Sequence, residues 1–405
     1  MFKLNIIKTI KSFDWQSIGL FSIIFLLLLS LYIFRISSFL PGFSLDEKTA
    51  INSANSIRSI FDNPLFAPHK LIQYFMIKIG HNGYLAMRLP SILMSTIVIG
   101  LFYSILRRWF SIFISVVATL LLATNSLYLG FTRNASTEIT ILAVFILVAY
   151  GLWLKTQPKP STAIILGMFM SSLILYTPGL IWFYILFLFW QKTAIVHLYH
   201  SHKKFLVFTP VLIIVFLLPL FLSIFSSIKT LEVYLGLPDD LVNSLVNLPK
   251  NIALIPYQLF YHGLNKPSLN IVGTPVFEVF SIAMFILGSF YYVVNNKSKD
   301  LFKVLIGIVL LLCFVALNSS KYIILLVPFI TIVIAYGINE MLEKWYVKFP
   351  NNPIARGLAT TLIVVAVASA SFYNINKYYI AWPQTPIIRS TFIYPPLPNR
   401  SIDLI

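Results

Sequence analysis

Apolar runs about as long as a bilayer is thick recur along the whole of this 405-residue chain, and they limit what it can become. They fall at roughly 17–36, 86–106, 111–129, 138–154, 161–176, 179–190, 205–226, 276–294, 301–317, 322–338 and 357–375. A helix needs about 20 apolar residues to cross the hydrocarbon core, where every backbone polar group must be satisfied internally. Only 11% of the chain is charged, against about 25% in an ordinary soluble domain, so it lacks the polar surface to meet water on all sides. The expected fold class is all-α: a polytopic membrane protein of about eleven transmembrane helices, with a long first exoplasmic loop holding juxtamembrane helices.

The net charge of +17 would suggest nucleic acid in a soluble chain. Here it reads as topology, with no nucleic-acid partner. Arg107-Arg108, Lys155 to Lys159, Lys192 to Lys204, Lys297 to Lys303 and Lys344 to Arg356 alternate with loops holding one cation each, Arg133 and Lys321. Lys and Arg concentrate in cytoplasmic loops, which places the N-terminus inside and residues 376–405 outside. The first run ends in Arg35 and Pro41 with no small-residue cleavage site, so a retained signal anchor is expected. The expected organisation is a transmembrane domain over 1–375, with exoplasmic loops at about 37–85 and 227–275, and a short exoplasmic tail. The expected location is an integral membrane position, the plasma membrane in a bacterium.

Two segments carry further detail. Thr177-Pro178-Gly179 interrupts the run 161–190, which predicts a short hairpin bent at Pro178 and buried among neighbours. Residues 44–61 read as one helix on the membrane surface, with Ile51, Ala54, Ile57 and Phe61 on the apolar face. Ser44-Leu45-Asp46-Glu47 fits a capping box, with Ser44 as N-cap and Glu47 three residues on. Capping alone would account for the acid pair. Adjacent carboxylates directly after a first span also lie where a lipid-borne substrate presents its head group, and a partly desolvated carboxylate there can act as general base.

In order and spacing the motifs resemble the GT-C glycosyltransferases of the protein O-mannosyltransferase and aminoarabinose-transferase type. Asp46-Glu47 opens the first loop, Pro68-His69-Lys70 and Gln73-Tyr74 follow, and Ala86-Met87-Arg88-Leu89-Pro90-Ser91 matches that group's Ala-x-Arg-Leu-Pro-Ser signature. Arg107-Arg108-Trp109-Phe110, the turn Arg133 to Glu138, Tyr176 to Gly179, and Lys321-Tyr322 with Pro328 continue the order. The family's His-Pro-Pro is replaced by Pro68-His69-Lys70, and a Lys common in bacterial relatives by Pro178.

The resemblance implies a polyprenyl-phosphate-linked sugar as donor, a hydroxyl-bearing acceptor (protein, glycolipid or wall polymer) and an inverting transfer on the exoplasmic side. Asp46 and Glu47 would be catalytic. Arg133, Lys321, Arg88, Lys70, His69 and Tyr322 would bind the donor phosphate, because a departing phosphate needs cationic stabilisation that grows in the transition state. Glu138 and Tyr74 would touch donor or acceptor. No metal ligand set stands out and no cofactor is firmly indicated, although a divalent cation is compatible with the chemistry. A lone basic residue in a short loop can instead be a snorkelling charge, and Glu138 can simply complement a helix dipole. A transporter or flippase predicts charges inside spans and paired repeats, and neither is evident. A non-catalytic scaffold of the same fold predicts that the acid pair is dispensable.

Overall fold

The computed structural model describes residues 15–79, 83–156, 159–201, 203–238, 240–295, 298–318 and 322–395. Among these there is no strand, only an isolated antiparallel bridge between Phe43 and Tyr394. The chain is an all-α polytopic membrane protein. The first described element is α1 (Trp15–Ile33), followed by four helices of the first long loop and the next apolar run: α2 (Leu45–Ser53), α3 (Ile57–Asp62), α4 (Ala67–Lys78) and α5 (Tyr84–Leu106).

Each apolar run of the sequence is helical in its described part, but not each is a straight rod. Four described helices are long and apolar enough to span alone: Tyr84–Leu106, Thr137–Leu154, Ile323–Lys348 and Pro353–Gln384. Three further candidates are bent pairs. Ile112–Thr124 turns by 64° into Ser126–Thr132, Leu180–Trp190 by 71° into the next helix, and Thr209–Phe216 by 59° into Leu218–Ser226. The first bend has a visible cause: Asn125 leaves helical geometry and its side-chain oxygen accepts from the Leu127 and Tyr128 amides, which starts a new helix. Pro160–Ile174 and Val279–Asn295 are shorter apolar helices.

The break at Thr177-Pro178-Gly179 is served by neighbours, as a bend within a membrane requires. The Gly179 amide donates to the Tyr234 carbonyl at 2.9 Å, and the Tyr176 carbonyl accepts from the Phe66 amide at 2.8 Å. Elsewhere, contact between backbones locks the bundle. A Cβ added to Gly288 would lie 2.2 Å from the Val333 carbonyl oxygen, and one on Gly337 would lie 2.1 Å from that of Met284. Small residues permit such approach, and dispersion then holds helices for which the bilayer supplies no hydrophobic drive.

The surface helix expected over 44–61 is two helices. Ala54 ends α2, and Ser56 starts α3 with its own capping box to Ser59. Ser56 and Ser59 compete for backbone groups that a continuous helix would use. Past the last long helix, the described residues fold back on the first loop. The helix continues to Gln384, Pro386–Thr391 adds a last turn, and Tyr394 pairs with Phe43, its carbonyl accepting at 2.7 Å and its amide donating at 3.2 Å. Trp382 and Phe392 are buried beneath this return.

Candidate active site

The first turn of α2 divides the acid pair. Glu47 is wholly buried, whereas the Asp46 side chain is 49% exposed. The capping box fixes the difference: the Ser44 hydroxyl accepts from the Glu47 amide, and the Glu47 carboxylate accepts from the Ser44 amide at 2.9 Å. With Glu47 turned inward by its cap, the preceding side chain turns outward.

Glu47 is fully committed. Its Oε1 accepts from Arg88 Nε at 2.8 Å and from the Ala135 amide at 2.9 Å, while Oε2 also accepts from Arg88 Nη2 at 3.2 Å. Arg88, 1% exposed, spends its remaining donors on the Ile36 and Gly42 carbonyls, both at 3.4 Å. This two-point pair, aided by a backbone amide, compensates the burial of both charges. It joins α1's exit, α2, α5 and the turn after Thr132. The structure thus places Arg88, a residue expected at the donor phosphate, on Glu47 and two carbonyls.

His69 and Lys70 are placed in the interior as well. Both lie in the first turn of α4 and both are buried. His69 Nε2 hydrogen-bonds Ser91 Oγ at 3.0 Å, and burial, helped by the Lys70 charge, pulls its imidazole down to about 3. The hydrogen bond to Ser91 links α4 to α5. Lys70 donates to the Asn63 carbonyl at 2.7 Å, and burial pulls its ammonium down to about 8. Gln73 on the same face of α4 ties the Met87 and Ala135 carbonyls together. Tyr74 meets Phe75 and Lys78 on its own helix.

Arg133 enters an aromatic box. Its guanidinium lies 4.5 Å from the Tyr379 ring centroid, 4.6 Å from Phe39 and 5.5 Å from Tyr378, and Nη2 donates to the Phe34 carbonyl at 2.8 Å. The ring faces attract the cation where hydrogen-bond acceptors are missing for Nε and Nη1. Arg133 thus fastens α1's exit and the C-terminal segment to the turn that holds Glu47.

A lysine of the second long loop, with no signal in the sequence, meets Asp46. Lys266 Nζ sits 2.8 Å from Glu138 Oε1 and 3.0 Å from Asp46 Oδ2. Burial pulls its ammonium down, but the two carboxylates outweigh this and raise it. Lys229 and Lys250 occupy the same loop, so only the fold distinguishes Lys266. Buried Tyr322 lies in the field of Glu138, which together with burial pushes its hydroxyl up. Lys321, the residue before it, lies outside the described residues. The described residues contain no cluster of three metal-binding side chains.

The arrangement therefore presents one half-exposed carboxylate, Asp46, bridged by a lysine to a second, Glu138. Beneath it lies a sealed Glu47–Arg88 pair. Against known proteins, the family of dolichyl-phosphate-mannose-protein mannosyltransferases matches residues 62–222. The matched stretch includes Arg88, Arg133 and Glu138, and excludes Asp46, Glu47 and Lys266. No curated protein and no solved structure matches the chain.

Proposed function

We propose, on the premise that this chain is a GT-C superfamily membrane glycosyltransferase, that it moves a sugar from a polyprenyl-phosphate donor to an acceptor hydroxyl with inversion, using Asp46 as general base. The observation that carries the assignment is the contrast between adjacent acids: Asp46 is half-exposed and Glu47 has no access to solvent. Only the former can meet an incoming hydroxyl.

The acceptor oxygen attacks the anomeric carbon from the face opposite the phosphate. Its proton passes to Asp46 as the new C–O bond forms, and the bond from the anomeric carbon to the phosphate oxygen breaks. The lipid phosphate departs with the electron pair. A base in position contributes about 10²- to 10⁴-fold. Lys266 stands beside the base and can shift from carboxylate to leaving phosphate as charge builds there, with Lys321 and Tyr322 as further ligands. Glu47, Arg88, His69 and Arg133 hold the frame and are positioning residues. Lys70 stands at the edge of this frame, and its ammonium becomes available to the phosphate if it releases Asn63.

The basic linkers that alternate with the loops carrying Arg133 and Lys321 support an exoplasmic site and a cytoplasmic N-terminus. The test uses purified protein in micelles with a short-chain polyprenyl-phosphate mannose and a hydroxyl peptide, and reads the product anomer by NMR. Product of inverted configuration is the expected result. A retained configuration, or transfer only from a nucleotide sugar, contradicts the reading.

A further inference from the structure

We propose that the cavity between α1's exit and the C-terminal segment is a binding site for a phosphate group, supplied by a membrane-lipid headgroup. The cavity has a volume of about 450 Å³. Arg35 and Arg389 line it from opposite ends of the chain, Ser38 and Gln384 add neutral donors, and the Phe39 and Tyr379 rings form a wall. Among the described residues no carboxylate lines it. Two arginines lining one space put like charge beside it, and a shared phosphate offsets this while using their planar forks.

The two arginines are held for such a role. Arg35 adopts a left-handed backbone, φ +52°, which is uncommon for a residue with a side chain and concentrates at functional positions. Its guanidinium has no hydrogen-bond or ion-pair partner among the described residues. Arg389 Nε donates to the Pro383 carbonyl at 3.0 Å, which fixes one edge of its fork. The wall is rigid, since Phe39 and Tyr379 are the rings that grip Arg133.

Position selects the source of the phosphate. Arg35 stands two residues beyond the apolar helix Trp15–Ile33, the depth at which hydrocarbon gives way to headgroups. Ile380, on the cavity wall, and the adjacent Ile387 are both exposed and suit acyl chain beside a bound headgroup. Asp46, Glu138 and Lys266 do not line the cavity, so the proposal does not rest on the glycosyl-transfer reading.

The test is thermal unfolding of the full chain in neutral maltoside micelles, titrated with dodecyl phosphate and, separately, with inorganic phosphate. Wild type should show a saturable rise in Tm with dodecyl phosphate, and the Arg35→Ala/Arg389→Ala double variant about tenfold weaker half-saturation or none. Arg35→Lys/Arg389→Lys should be intermediate, and the single Arg389→Ala variant carries the test if the double variant does not fold. Lys266→Met, which strips the transfer site of the cation given to the leaving phosphate, should keep the arginine-dependent response, which separates this site from the transfer reaction. An equal, arginine-dependent response to inorganic phosphate upholds a phosphate site but assigns it a soluble source. Wild-type saturation in the double variant overturns the proposal.

Discussion

Removing one member of the Glu47–Arg88 pair leaves the other charge buried without a partner, which costs about 3–5 kcal/mol when both are sealed from water. Arg88→Met should therefore lower the thermal unfolding temperature in micelles sharply. Lys266→Met should move it less, because its ion pairs are partly open to water, the Lys266 side chain being 36% exposed and those of Asp46 and Glu138 49% and 15%. The same Lys266→Met change should slow transfer about 10²-fold, as expected when a cation near developing charge is lost. A Lys266→Met enzyme of undiminished rate would remove this residue from the site. His69 supplies a pH signature. Its folded-state value near 3 lies below the unfolded value of 6.5, so protons favour the unfolded chain as pH falls between the two. Stability is unaffected above pH 6.5 and declines below it, by about 2 kcal/mol at pH 5. His69→Gln should flatten the decline, as followed by unfolding at stepped pH; an unchanged slope would contradict a neutral buried imidazole.

At the scale of elements, the C-terminal return is the piece whose contribution is easiest to isolate. A Cβ on Gly42 would lie 2.6 Å from the Tyr394 carbonyl oxygen and 2.8 Å from that of Phe392. Gly42→Val should lift residues 385–394 off the first loop, release Lys48 from the Tyr394 ring, and raise hydrogen exchange in that segment. Unaltered exchange there would show that the bridge is incidental. The sequence made the apolar helices legible because membrane span length is written in consecutive residues. It made the Ser44–Glu47 cap legible because a capping box is a local pattern. The division of α2 from α3 was hidden, since alternating Ser and Asn fit both a polar helix face and a new cap. Lys266, the aromatic box around Arg133 and the Phe43–Tyr394 bridge join segments far apart in the chain, and no local spacing encodes such contacts. Arg88 was visible as a conspicuous cation, but only the fold shows that Glu47 occupies it.

Across the whole molecule, the alternation of basic linkers with short loops holding one cation each makes one directional prediction. With Cys313 replaced by serine, N55C in the exposed turn between α2 and α3 should react in intact cells with a membrane-impermeant maleimide. Labelling only after permeabilisation would put the acid pair on the cytoplasmic side. The central claim concerns the chemistry at that edge: two neighbouring acids, one sealed to hold the frame and one open to take a proton. Single-turnover sugar transfer by purified Asp46→Asn, run beside its thermal unfolding, tests this most directly. The account predicts a rate lower by about 10²- to 10⁴-fold at an unfolding temperature close to that of wild type. Transfer at the wild-type rate by a folded Asp46→Asn protein would contradict it.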